Sequence, residues 1–153
     1  MTMLNKASYT ALVAHGIKPT VQRLAVMGYL LEHSGHPTAE EIYTAMNRVL
    51  PTFSKATVYN TLGLLEEHGA VAKVFLDERR TCYDVLTAPH AHFYCHRCGC
   101  LHDVPVVDTF SLSEVGGLPA GSQVESVSVT YRGLCAKCQA EQQAEGHEPF
   151  ATT

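Results

Sequence analysis

Two Cys-x-x-Cys pairs, Cys95/Cys98 and Cys135/Cys138, have 36 residues between them, and no other feature limits the fold of this chain as tightly. Each pair can present two thiolates to one ion from a tight turn, and two pairs complete a tetrahedral, closed zinc site of four sulfurs. The blander readings, a redox pair or unlinked buried thiols, explain a duplicated spacing poorly. A closed site leaves no position for a substrate, so its expected role is structural, tying the last helix to a hairpin with on the order of 10 kcal/mol of folding free energy. Cys82 and Cys100 fall outside this set and read as small buried apolar residues, with a reactive thiol as the alternative. The start MTMLNKASYT lacks the basic end and apolar run of an export signal, so a cytoplasmic, reducing location is expected, where six cysteines favour metal over disulfides. Apolar stretches such as Ala70 to Leu76 are far shorter than a membrane span.

With 46% hydrophobic and 17% charged residues in 153, the chain can bury a core, and disordered and fibrous classes are excluded. The net charge of −4 is unevenly spread. Residues 1–80 carry eight Lys and Arg against seven Asp and Glu, residues 81–153 three against eight, and all six cysteines lie at 82 or later. Two halves of different chemistry predict two domains. The expected boundaries are 1–86, a hinge at 87–89, a second domain at 90–146 and a flexible tail at 147–153.

The first half reads as capped helices. The spacing predicts a weak helix over residues 4–15 ending at Gly16, then a second opened by Pro19-Thr20, with Val21, Leu24, Ala25, Gly28 and Leu31 inward. Thr38-Ala39-Glu40-Glu41 is a capping box, followed by Ile42, Met46, Val49 and Leu50 on one apolar face. Ser54 caps a fourth helix with Val58, Leu62 and Leu65 inward and Gly69 at its end. The opposite face of that helix, Lys55, Ala56, Tyr59, Asn60 and Gly63, is small and polar.

Beyond Gly69, the runs AVAKVFL and TCYDVL, joined by Asp77-Glu78-Arg79-Arg80, predict a hairpin with a charged tip. Helices followed by a two-stranded hairpin form a winged helix, and the polar face of the fourth helix suits a DNA major groove. The alternative is a merely solvated face. The second half predicts strands over 90–95 and 100–104, a short helix over 108–115, a strand over 124–132 with Val127, Val129 and Tyr131 buried, and a final helix from Cys135 to Glu145. The whole is expected to be an α+β protein.

A second constellation lacks sulfur. His90 and His92 sit two apart on a strand and share a face, with Asp84 on the strand before, Asp103 on the strand after, and His36 ahead of the third helix. Three imidazoles and two carboxylates suit Fe(II) or Mn(II) better than a soft metal. Purely structural imidazoles are the competing reading, and His15, His33, His68, His96, His102 and His147 receive it. A non-haem iron oxygenase is the enzyme alternative, but five protein ligands leave little room for substrate.

The segments HPTAEEIY (36–43), S-x-ATVYNTL (54–62), HAHFYCHRCG (90–99) and GLCAKC (133–138) together resemble the ferric uptake regulator family of bacterial metal-sensing repressors, in order and over essentially the whole chain. The resemblance implies a homodimer binding an inverted-repeat operator on double-stranded DNA, with a winged helix, a dimerisation domain and a regulatory metal at the hinge. His36, Asp84, His90, His92 and Asp103 fall on the pattern of the peroxide-responsive branch, whereas iron-responsive members typically carry Glu at the positions of Asp84 and Asp103. In that branch Fe(II) catalyses oxidation of the imidazoles matching His36 and His90. Pro89, Ala91 and Val127 lack the side chains of a further metal site found in some members. The runner-up is an iron-, manganese- or zinc-responsive repressor without peroxide sensing, Cys82 being a candidate zinc ligand on the strand of Asp84. The resemblance supports Tyr59 and Arg23 as DNA contacts; charge and position add Lys18, Lys55, Asn60, Arg79 and Arg80. No enzymatic activity, membrane or small-molecule substrate is expected, peroxide apart.

Overall fold

Four polar side chains set the starts of the helices in the N-terminal half. Asn5, Thr20, Thr38 and Ser54 each accept from the backbone N–H three residues on, at 2.7, 3.3, 3.2 and 3.0 Å, and so satisfy donors the helix cannot pair internally. In the computed structural model, which describes residues 5–33, 35–77, 80–85, 90–105, 117–124 and 127–145, these caps open α1 (Lys6–Ala14), α2 (Val21–Glu32), α3 (Ala39–Val49) and α4 (Lys55–Glu67). The predicted capping box is complete, with Glu41 accepting from the Thr38 backbone N–H at 2.7 Å. Gly69 follows α4 at φ +69°, the left-handed geometry that ends a helix without a Cβ penalty.

The chain divides into Met1–Thr87 and Ala88–Thr153. In the first unit the helices enclose Leu12, Val26, Met27, Ile42, Met46, Val58, Leu62 and Leu65, all at most 1% exposed. Each such side chain contributes about 1.5–3 kcal/mol by leaving water. The inward face of α4 is as predicted. The predicted faces of α2 and α3 hold in part: Ala25, Gly28, Ile42 and Met46 are buried, but Val21, Leu31 and Val49 are exposed, and Val26, Met27 and Leu30 are buried instead. The middle of α2, flanked by α1, α3 and α4, sets the buried face, and apolar residues at helix ends project past those neighbours.

The hairpin pairs β1 (Ala72–Asp77) with β2 (Arg80–Asp84) in antiparallel register, Val74 opposite Cys82 and Phe75 opposite Thr81. Val74 and Leu76 face the interior, which sends Phe75 outward, 70% exposed. Helices plus this hairpin are a winged helix. Arg79 at its tip lies outside the described residues.

Among the described residues, the second unit is one three-stranded sheet in the order β4-β3-β5, with β3 (His90–Cys95) antiparallel to β4 (Leu101–Pro105) and parallel to β5 (Thr130–Gly133), followed by α5 (Ala136–Ala144). The strand predicted over 124–132 is therefore shorter. Its predicted buried face is also open, Val127 at 45% and Tyr131 at 54% exposed, because a single sheet layer offers that face no cover from the described residues. The expected hinge at 87–89, helix at 108–115 and tail at 147–153 lie outside the described residues. Among those described, no helix is long and apolar enough to cross a membrane.

Candidate metal centres and nucleic-acid face

Cys95 ends β3, Cys98 closes the turn after it, Cys135 caps α5 and Cys138 lies in its first turn. Their four sulfurs lie within 4.8 Å of one another, and Cys98 Sγ is 3.8 Å from Cys135 Sγ. Tetrahedral zinc, at about 2.3 Å from each sulfur, sets its ligands about 3.8 Å apart. The donor set therefore fits zinc in identity, number and spacing. Electrostatics agree. The Cys95 thiol is held down at about 5, chiefly by the backbone N–H groups of Cys98 and Cys135, whereas burial and the sulfurs beside it push Cys138 up to about 12. Four crowded thiols cannot all ionise unaided, and a divalent cation removes that conflict.

Cys82 is buried, as expected. Cys100 departs from its expected burial: it is half-buried and hydrogen-bonds to Cys98 and then Cys135, which, with burial, pushes its thiol up to about 12. The turn that delivers Cys98 also brings Cys100 back beside the cluster, since the Cys95 N–H donates to the Cys100 carbonyl at 2.9 Å.

The sulfur-free residues form one group in each unit. In the first, His36 Nε2 is 3.2 Å from Asp84 Oδ2. His36 is buried and is the one non-glycine residue at positive φ, +52°, among those described; such conformations persist where surrounding structure enforces them and cluster at functional sites. Here the Tyr83 N–H donates to the Pro37 carbonyl and Thr38 bridges Cys82, so β2 anchors the loop that carries His36.

In the second unit the β3–β4 register sets His92 opposite Asp103. His90 Nε2 and His92 Nε2 lie 3.0 Å apart, and Asp103 Oδ1 is 3.3 and 3.6 Å from them. Ligands bonded at about 2.0–2.2 Å to one ion stand roughly 3 Å from each other, so these three atoms have the spacing of neighbouring ligands. The buried His92 is held by the sheet, while Asp103 is 55% exposed and supplies the charge from the solvent side.

On the N-terminal unit, α4 presents Tyr59 (51% exposed) and Asn60 outward. A groove of about 610 Å³ beside it is lined by Thr38, Glu40, Tyr59, Lys73, Phe75, Arg80 and Tyr83. The cations here are already engaged. Lys55 pairs with Glu40 at 2.9 Å and lies over the Tyr43 ring at 5.4 Å, Lys73 pairs with Glu66 at 2.6 Å, and Arg23 donates to the Lys18 carbonyl at 2.8 Å. Lys18 is exposed. Sequence reading missed Phe75 and Glu40. Phe75 was discoverable from strand parity, as the outward residue between Val74 and Leu76; the Glu40–Lys55 pair joins two helices and leaves no local signal.

A family profile described as the ferric uptake regulator family matches residues 14–115. The chain is 30% identical over 133 residues to the peroxide operon regulator of Bacillus subtilis (strain 168), covering 87% of this chain and 92% of that protein. It is 32% identical to the crystal structure of the Campylobacter jejuni peroxide stress regulator, with a TM-score of 0.60, 90% of this chain and 97% of that one being covered. It shares the fold of a zinc uptake regulator solved with zinc and DNA, at 23% identity and a TM-score of 0.65, over 90% and 93% of the two chains.

Proposed function

The chain belongs to the ferric uptake regulator family, and from that premise we propose that it is a peroxide-sensing, metal-dependent repressor that binds an inverted-repeat operator as a homodimer in the cytoplasm. It is a metal-responsive transcriptional regulator of this family and not an enzyme. Zinc at Cys95, Cys98, Cys135 and Cys138 has a structural role. The regulatory ion, Fe(II) or Mn(II), is held by His36, Asp84, His90, His92 and Asp103.

The observation that carries this reading is the ligand-like spacing of His90, His92 and Asp103, with no thiolate among them. Three donors from one unit leave an ion of this type short of ligands, and the His36–Asp84 pair supplies two more of matching chemistry. When an ion is shared by both sets, its binding free energy becomes a preference for one arrangement of the winged helix, which is coupling in the thermodynamic sense. Tyr59 and Asn60 then read base edges, and Lys18, Arg23, Lys55, Arg79 and Arg80 meet phosphates, with Lys55 exchanging Glu40 for a phosphate. Fe(II) held by these residues would activate peroxide toward a neighbouring ligand, which Mn(II) would do poorly. The electrons would come from the imidazole of His36 or His90: a ring carbon would exchange its C–H for a C=O, taking one peroxide oxygen while the other leaves as water. Once modified the imidazole would be a weaker ligand, the two sets would separate, and the operator would be released.

Wild-type protein loaded with iron or manganese is treated briefly with peroxide, then measured by operator titration and peptide mass spectrometry. The expected outcome is added oxygen on the His36 or His90 peptide and loss of operator binding, with iron only. His92→Ala is expected to keep zinc but lose metal-dependent operator binding. Intact histidines and unchanged affinity in both metal forms assign the chain to the family's iron, manganese or zinc sensors instead, and modification at Cys82 does the same.

A further inference from the structure

The helix that carries half of the four-sulfur cluster has little of its own to hold it. Cys138 is the one buried residue of α5, Cys135 makes no side-chain hydrogen bond at its cap, and its first and last turns carry no charges that complement the helix dipole. At its C-terminal end stands Glu145, an acid where the dipole disfavours one. The first Cys-x-x-Cys turn answers both deficits. Arg97, between Cys95 and Cys98, donates from Nη1 to the carbonyl oxygen of Cys138 at 3.1 Å and from Nη2 to both carboxylate oxygens of Glu145 at 3.1 and 3.2 Å.

We infer that Arg97 is a metal-independent latch, a positioning residue that clamps the second Cys-x-x-Cys turn and the far end of α5 to the first turn, so that the four sulfurs are gathered before an ion arrives. The guanidinium suits this task. It is charged at every accessible pH, its planar fork addresses two acceptors at once, and the second lone pair of a helix carbonyl is open to such a donor. The bond to the Cys138 carbonyl acts on the backbone of a ligand residue, as partners behind metal ligands commonly do. The Glu145 arm is more exposed, the carboxylate side chain 60% and the Arg97 side chain 34%, so salt weakens it more than the carbonyl arm.

The test uses the full chain. Zinc content of the wild type is measured first, and zinc loss to excess chelator is then followed in wild type, Arg97→Ala, Arg97→Lys and Glu145→Gln, with amide hydrogen exchange on the metal-free forms. Arg97→Ala is expected to bind zinc about 10- to 100-fold more weakly, the range for removing a partner behind a ligand, and so to lose it faster to chelator. Arg97→Lys, which keeps the charge but not the fork, falls between, and the smaller Glu145→Gln effect disappears at high salt. In the metal-free forms α5 exchanges more slowly in wild type than in Arg97→Ala, while α2 and α4 exchange alike in both. Equal zinc-loss rates, or equal α5 exchange in the metal-free pair, overturn the latch. If Arg97→Ala fails to fold, wild-type rates for Arg97→Lys and Glu145→Gln overturn it instead. A wild type that carries no zinc refutes the zinc assignment, and the exchange comparison still decides the latch.

Discussion

The two units solve the same problem with different means. The N-terminal unit seals large side chains almost completely from Leu12 through Leu76, whereas the described buried set of the second unit is Ala91, His92, Tyr94, Cys95 and Cys138, of which three are metal-binding types. The first unit is held by apolar burial, which is spread over many contacts and tolerates change at any one of them. Among the described residues of the second unit, the buried set centres on the four-sulfur cluster, and Arg97 joins the two Cys-x-x-Cys turns. Small units with little apolar area commonly rely on metal cross-links of this kind.

Removing zinc should give the largest effect and fall on one side only. Cys135→Ser leaves three thiolates, which cannot close the tetrahedron, and is expected to cost most of the roughly 10 kcal/mol that structural zinc supplies. Zinc analysis, sedimentation and hydrogen exchange check it: the dimer is lost and the protection of β3–β5 and α5 falls steeply, α5 keeping only the part that the Arg97 contacts supply, while α2 and α4 keep theirs. A zinc-free protein with both units protected would erase the contrast.

Leu62→Ala breaks the comparison from the other side. Leu62 is 0% exposed in the centre of α4, so truncation is expected to destabilise the N-terminal unit by about 2–5 kcal/mol through lost burial and a residual cavity. Zinc content should not change. Urea denaturation followed through the helical signal, with metal analysis in parallel, reads both quantities.

The smallest effect sharpens the contrast between what stabilises the first unit and what that unit does. Tyr59 is half exposed and outside the core, so Tyr59→Ala should leave urea midpoints unchanged. Operator binding is expected to weaken by about 1–3 kcal/mol with little change on random DNA. Equal loss on both DNAs identifies Tyr59 as a backbone contact.

The local signals in the sequence were sufficient wherever the structure is built from near neighbours. The Thr38–Glu41 box, the Ser54 cap, the inward stripe Val58, Leu62 and Leu65, the wing and the turn between Cys95 and Cys98 all follow from spacing, because caps and helix or strand periods are set within a few residues. The doubled Cys-x-x-Cys predicted the four-sulfur cluster, since a tetrahedral sulfur site demands four thiolates and the chain offers two matched pairs. His90 and His92 were legible as one face of a strand. What only the tertiary structure decided depends on residues far apart in the chain. The packing of α2 among three helices exposed Val21 and Leu31 against their period, and among the described residues nothing covers the sheet face that carries Tyr131. Residue 36 took a left-handed backbone conformation beside Asp84, and Asp103 came opposite His92 by strand register. Glu40 found Lys55 across two helices, and Arg97 reached the carbonyl of Cys138 from 41 residues away. Side-chain reach and packing partners are properties of the assembled backbone, and no sequence window short of the whole fold contains them.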